Sequence, residues 1–130
     1  MMNYSKKDIG LIGEKVAVKF LKKNKYKIIE TNFSSKTGEI DIICENKKFI
    51  VFVEVKTRKK DSLVSGVFAV NSKKQQHIIK TAHSYLFDNE SEKQPRFDII
   101  EVEFDEKTGI ANVTEHYIDA FSQGGEYAVF

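Results

Sequence analysis

The sequence predicts an α/β domain, a mixed central sheet flanked by helices, on three observations. Apolar residues recur at helical spacing over 8–23 and 71–87, while five other segments carry strand-like patterns in the order α-β-β-β-α-β-β. One of those segments, Phe49 to Lys56, is apolar on nearly both faces, which suits a central strand covered on both sides. The length of 130 residues with 41% hydrophobic content supports one core and would cramp a second.

Taken in order, Ile9, Ile12, Val16, Ala17, Phe20 and Leu21 form the apolar stripe of a helix over Asp8 to Lys23, with Lys15, Lys19 and Lys22 opposite. Glu14 falls on the border of that stripe, one turn before Ala17, and so can reach the edge of whatever the helix covers. Tyr26 to Phe33 reads as a strand and Ser34 to Gly38 as a turn. Glu39 to Cys44 alternates, with Ile40, Ile42 and Cys44 on one face and Glu39, Asp41 and Ile43 on the other. The polar turn Glu45-Asn46-Lys47-Lys48 leads into Phe49 to Lys56. A loop is expected over 57–70, with Gly66 inside it. Asn71 is the N-cap expected for a second helix that runs to Phe87 and turns Ile78, Ile79, Ala82, Tyr85 and Leu86 inward. A polar linker, Asp88 to Pro95, precedes two strands, Phe97 to Phe104 and Ile110 to Ile118. The domain is expected to span 1–121, with Gly124-Gly125 in a frayed tail over 122–130.

Composition narrows the function classes. No stretch reaches the roughly 18 consecutive apolar residues of a membrane helix, and Met1 to Asp8 is polar, unlike a signal peptide. With Cys44 the single cysteine, neither an internal disulfide nor a cysteine-rich zinc module fits, and the expected compartment is the reducing cytoplasm. Charge is unevenly spread: residues 1–36 carry nine lysines against three acids, 56–80 seven basic residues against one, and 88–130 three against eleven. Such asymmetry points to one side that faces a polyanion, or to ordinary solvated faces.

The chemistry-bearing stretches are Gly38-Glu39-Ile40-Asp41-Ile42-Ile43 and Phe52-Val53-Glu54-Val55-Lys56. If the four-residue turn closes a hairpin, Cys44 pairs with Phe49. Asp41 then lies opposite Phe52 and diagonal to Glu54, and Glu39 lies opposite Glu54, all on one face with Lys56. Diagonal neighbours sit about 7–8 Å apart, close enough for two carboxylates to converge on one cation. At about 6 Å and an effective dielectric near 20, the two repel by roughly 3 kcal/mol. Two readings relieve that cost: a hard divalent cation such as Mg²⁺, or an ion-pair network in which Lys56 neutralises Glu54.

These residues also resemble a known family. Asp41 with Glu54-Val55-Lys56 is similar to the D…(D/E)xK signature of PD-(D/E)XK, restriction-endonuclease-like nucleases. Gly10-Leu11-Ile12-Gly13-Glu14-Lys15-Val16-Ala17 resembles the helix start of the YraN family of endonucleases. Thr31-Asn32-Phe33, Gly38 to Ile43, Val51 to Arg58, Lys73-Lys74-Gln75-Gln76, Ala82 to Leu86, Arg96-Phe97-Asp98 and Asp119-Ala120-Phe121 continue the pattern over almost the whole chain. The resemblance implies an αβββαβ core shared with Holliday-junction resolvases and restriction enzymes. It also implies catalytic roles for Glu14, Asp41, Glu54 and Lys56, with Asp41, Glu54 and Glu14 holding Mg²⁺ or Mn²⁺. The loop after Arg58 departs from the family pattern.

Arg58, Lys73, Lys74 and Gln75 are the candidate substrate-binding residues, with Lys59 and Lys60 in the same basic group. Gln75 sits on the inner stripe of the second helix, where it either meets the site or a phosphate or is satisfied locally. His77 and His83 are six residues apart on that helix and cannot share a face as a zinc pair. His116 is expected at a strand surface and Cys44 in the core. No nucleophile elbow and no glycine-rich phosphate loop occur. The expected function is therefore a metal-dependent nuclease acting on DNA, with branched or junction DNA as one substrate and a homodimer as one assembly. The alternative is a non-cleaving nucleic-acid-binding or partner-recruiting module on the same fold.

Overall fold

The computed structural model describes residues 3–62 and 70–122. Seven elements follow the expected order: α1 (Lys6–Lys23), β1 (Lys27–Ser35), β2 (Gly38–Glu45), β3 (Phe49–Lys59), α2 (Ser72–Asp88), β4 (Gln94–Asp105) and β5 (Ile110–Phe121). The sheet runs β1-β2-β3-β4-β5, with β3 and β4 parallel and every other pair antiparallel. The parallel pair requires the crossover that α2 supplies.

Helix α1 starts two residues earlier than the apolar stripe suggests, because Ser5 and Asp8 form a reciprocal cap: Asp8 N–H donates to Ser5 Oγ and Ser5 N–H to Asp8 Oδ2, both at 3.1 Å. Its stripe packs Ala17 and Leu21 against Ile42, Cys44, Val51, Val53, Ile100 and Val102. Helix α2, capped by Asn71 as expected, covers the other face and packs Ile78, Ile79, Ala82 and Tyr85 against Ile43, Ile50, Phe52, Phe97 and Ile99. Both faces of β3 are thus buried, as its continuous apolar run implies.

Three expectations need correction. The β2–β3 register differs by two residues: Cys44 lies opposite Val51, and Ile42 opposite Val53. The cause is Asn46. Its Oδ1 accepts N–H groups from Lys48 at 3.0 Å and Phe49 at 2.8 Å, and its own N–H donates to Phe49 O at 3.0 Å. That side-chain turn closes the hairpin over Lys47-Lys48 alone, so Glu45 stays in the strand. An even shift preserves the parity of the pairing and brings Asp41 abreast of Glu54 rather than Phe52; Ile40, expected beside Ile42 and Cys44, instead packs with Ile43 in the core under α2, because alternation breaks where β2 leaves β3.

The expected loop over 57–70 begins too early. Thr57, Arg58 and Lys59 continue β3 because β4 offers them a parallel partner as far as Phe104. Cross-strand ion pairs, Arg58 to Glu101 at 3.3 Å and to Glu103 at 3.4 Å, offset the loss of apolar character. The loop expectation for 63–69, Gly66 included, and the tail expectation for 123–130 lie outside the described residues.

His116 is not a surface residue. Only 11% of its side chain is exposed, and its Nε2 lies 2.7 Å from Oδ2 of the fully buried Asp98. Asp98 also accepts from Arg96 Nε at 2.9 Å and Nη2 at 2.7 Å, and from Asp119 N–H at 2.9 Å. The last bond pins an irregular turn of β5, in which Asp119 takes a left-handed φ of 56°. Arg96 in turn donates to Tyr26 Oη at 2.7 Å.

Candidate active site

The site forms where β2 and β3 part. Their pairing runs from Glu45↔Ile50 to Ile42↔Val53, beyond which β2 stays paired with β1 alone and β3 with β4 alone. At the fork Asp41 Oδ2 accepts the Val55 N–H at 2.8 Å. This fixes the Asp41 carboxylate and satisfies a backbone donor that the lost ladder would orphan. Glu54, one residue earlier on β3, is buried at 7% exposure and hydrogen-bonds Asp41.

A groove opens to either side of this pair. One lobe, about 420 Å³, is lined by Gly38, Glu39, Asp41, Glu54, Asn71, Lys73, Lys74, His77 and Ile78. The other, about 470 Å³, is lined by Asp41, Glu54, Lys56, Thr57, Lys59 and Lys74 together with Lys6, Ile9, Gly10 and Glu14 of α1. Asp41, Glu54 and Lys74 are common to both lobes. The first turns of both helices therefore border one groove.

Close packing brings the helices there. Gly13 of α1 is buried against Thr57 of β3, where any Cβ would collide with the Thr57 hydroxyl. That approach carries the next residue, Glu14, to the fork. On the other side, Thr81 of α2 shares a hydrogen bond of 2.9 Å with Thr37 in the turn before Gly38. This ties α2 to the start of β2 and holds its first turn over Glu54.

The electrostatics follow from burial and crowding. Burial, then the hydrogen bond and charge of Asp41, push the Glu54 carboxyl up to about 8 from an ordinary 4.5, against the pull of Lys74 and Lys56. Burial and the charge of Asp41 also raise Glu14, while a hydrogen bond from Asn32 lowers it. Burial and contact with Lys74 hold the Lys56 ammonium below its usual value. Burial works against the charge of Lys74 too, but its contact with Lys56 and the carboxylates of Glu54 and Asp41 raise it.

Glu14, Asp41, Glu54 and Lys56 thus line one lobe of the groove. The candidate substrate-binding residues divide. Lys73 and Lys74 line the groove, whereas Arg58 is engaged by Glu101 and Glu103. Gln75 lines neither lobe; it is 2% exposed and its Nε2 donates to Val70 O at 3.0 Å. Lys59 borders the groove but pairs with Glu106 at 3.2 Å, and Lys60 pairs with Asp105 at 3.7 Å.

The ion pair at Glu54 differs from the one read in the sequence. Lys74 Nζ, from α2, lies 3.3 Å from Glu54 Oε2. Only the crossover geometry reveals this contact, since twenty residues separate the two in the chain. Asn32, whose side-chain amide favours the ionised form of Glu14, stands in the sequence only as part of the Thr31-Asn32-Phe33 motif. Its signal is an asparagine inside a strand, holding a left-handed φ of 55°.

Among the described residues, no three His, Cys, Asp or Glu side chains form a ready-made metal cage. The donor set present is a pair of hard carboxylates, Asp41 and Glu54, with Glu14 at electrostatic range. Two such donors fit a cation that keeps most of its waters, as Mg²⁺ does.

Comparison with known proteins gives one consistent result. The model of a family described as "Uncharacterised protein family UPF0102" matches residues 13–102. A UPF0102 protein of Caldanaerobacter subterraneus subsp. tengcongensis is 44% identical over 122 residues, which cover 93% of this chain and 100% of the relative. Another, from Clostridium botulinum strain 657, is 47% identical over 103 residues, 78% of this chain and 84% of its own.

Proposed function

This chain belongs to the uncharacterised protein family UPF0102, and for it we propose a metal-dependent nuclease that hydrolyses phosphodiester bonds in DNA. The observation that carries the reading is the fork itself. Two abutting carboxylates, one nearly buried and driven up to about 8, share a groove floor with two lysines. Folding gains nothing from bringing Asp41 and Glu54 together, so their juxtaposition points to function. The YraN-like and PD-(D/E)XK motifs support the same assignment by resemblance.

In this reading Asp41 and Glu54, aided by Glu14, hold Mg²⁺ or Mn²⁺. The ion supplies Lewis acidity at the scissile phosphate and lowers the pKa of a bound water. Asp41 keeps its orientation through the Val55 N–H, so the carboxylate needs no rearrangement to serve as a ligand. Lys56, half-buried beside Glu54, orients the attacking water or offsets the charge that develops on the phosphate. Lys6, Lys59 and Lys73 lie along the groove, where they suit flanking phosphates. The proposed setting is the cytoplasm, with branched DNA as one substrate and a symmetric dimer as the assembly that cutting both sides of a junction favours.

The Lys74–Glu54 contact favours a second reading, a non-cleaving binding module in which the cluster is a closed ion-pair network. One experiment separates the two. Branched, duplex and single-stranded DNA are incubated with Mg²⁺, Mn²⁺ or EDTA, using the wild type, Asp41→Asn and Glu54→Gln. The nuclease reading expects metal-dependent cleavage that both variants abolish while most DNA affinity remains. Cleavage by either variant near the wild-type rate removes the assignment. Binding without cleavage of any substrate establishes the module.

A further inference from the structure

Lys74 stands where a cation would serve Glu54. Its Nζ is 3.3 Å from Glu54 Oε2, and the glutamate side chain is 8% exposed while the lysine keeps 41% of its own open. The backbone beneath it is fixed, since Lys74 N–H donates to the Asn71 cap at 3.0 Å. The side chain is thus a flexible stem on a rigid base, with access to both lobes of the groove. Its neighbour Lys73 lines one lobe and is exposed.

Resting on the nuclease reading, we propose that Lys74 is a resident counter-cation, which gives up Glu54 when a divalent ion binds and then takes a phosphate of the DNA strand. The argument is one of charge. A carboxylate pair that is neutralised by an ammonium has less to offer a second cation, and an ammonium beside a divalent ion is repelled. Released, Lys74 faces a groove bordered by other lysines, and there a phosphate is the partner that lowers its energy. Metal and DNA then bind cooperatively, and by linkage each tightens the other by the same factor. Lys74 acts here as a positioning residue that keeps the empty site closed.

The test measures Mn²⁺ affinity by titration calorimetry without DNA, on wild type, Lys74→Gln and Lys73→Gln. Partial exposure of Lys74 makes each of these variants compatible with folding. Lys74→Gln is expected to bind Mn²⁺ roughly three- to fivefold more tightly, the upper part of the range that a partly exposed ion pair can hold back. Lys73→Gln, which removes the same charge one residue away, changes affinity less than about twofold. In a second arm, fluorescence anisotropy follows a phosphorothioate duplex that resists hydrolysis. Mn²⁺ is expected to tighten its binding to wild type more than to Lys74→Gln. Equal Mn²⁺ affinities in wild type and Lys74→Gln overturn the counter-cation role but leave the metal site standing. Equal gains in DNA affinity overturn the transfer to phosphate. If no form binds Mn²⁺, the metal site fails as well, and the wild-type titration alone identifies that outcome.

Discussion

Two buried acids, Glu54 and Asp98, show how the same chemical group is used in opposite ways. Asp98 is fully buried, yet its donors from Arg96, His116 and Asp119 outweigh the burial and lower its pKa. Glu54 has one ammonium at 3.3 Å and an acid as its neighbour, and it is driven upward. The first is a structural lock; the second is held against its own preference. Asp98→Asn leaves a buried guanidinium short of its counter-charge, so it should cost about 3–5 kcal/mol in denaturant unfolding. The pH dependence has a definite sign. Because folding depresses the Asp98 pKa, its contribution is present above the unfolded value near 3.8 and is lost as pH falls through the lower folded value. Acid titration of the melting point should therefore show a loss in that window, and Asp98→Asn should flatten it. Glu54→Gln should act the other way, stabilising the metal-free protein by about 1–3 kcal/mol because a buried acid no longer crowds Asp41. A Glu54→Gln protein no more stable than wild type would mean that Lys74 already compensates the site.

At the level of elements, the fork owes its geometry to small residues as much as to charged ones. Gly13 lets α1 lie against Thr57, and that contact sets where Glu14 arrives. Gly13→Ala should cost about 1–3 kcal/mol, as overpacking does, and should lower cleavage by shifting Glu14 away from Asp41. Thr57→Ala removes the colliding hydroxyl, so the double variant should recover most of the lost stability in the same melts. No recovery would show that the helix is held off by something else. Which parts of this were legible in the sequence follows from what each signal measures. Helical and strand periodicity reports burial, and it placed both helices, the five strands and the central position of β3. Register depends on the turn, and the Asx geometry of Asn46 is a side-chain effect that alternation does not encode. The face shared by Asp41 and Glu54 survived only because the two-residue shift preserved parity. Lys74 was a candidate for the substrate, but its contact with Glu54 and the influence of Asn32 on Glu14 arise across elements distant in the chain, so spacing could not reveal them. His116 was misplaced because alternation does not see Asp98, which draws the ring inward.

For the whole molecule, the two helices cover both faces of the sheet and leave one end of it as the groove, at the point where β2 and β3 diverge. Lys6, Lys56, Lys59, Lys73 and Lys74 border that groove, three from the helices and two from β3. Ion pairs occupy Lys74 and Lys59, while the acids of β4 engage Arg58 elsewhere. The charge asymmetry along the chain thus becomes an asymmetry in space, with basic side chains concentrated at the fork. A duplex lying in the groove should bind mainly by releasing counterions. With about four to six phosphates neutralised, log K falls against log salt with a slope of roughly −4 to −5. Lys6→Ala and Lys73→Ala should each make that slope shallower by about one, whereas Glu92→Gln and Glu115→Gln, at exposed sites in the acidic third, should leave it unchanged. Anisotropy titrations between low and moderate salt provide the slope, and EDTA in the buffer keeps cleavage from interfering. A flat salt dependence in the wild type would show that the lysines around the fork are solvated surface and that nucleic acid does not enter the groove. A steep slope that Lys6→Ala and Lys73→Ala do not alter would move the phosphate contacts to another face, leaving the carboxylate pair to act on a different anion.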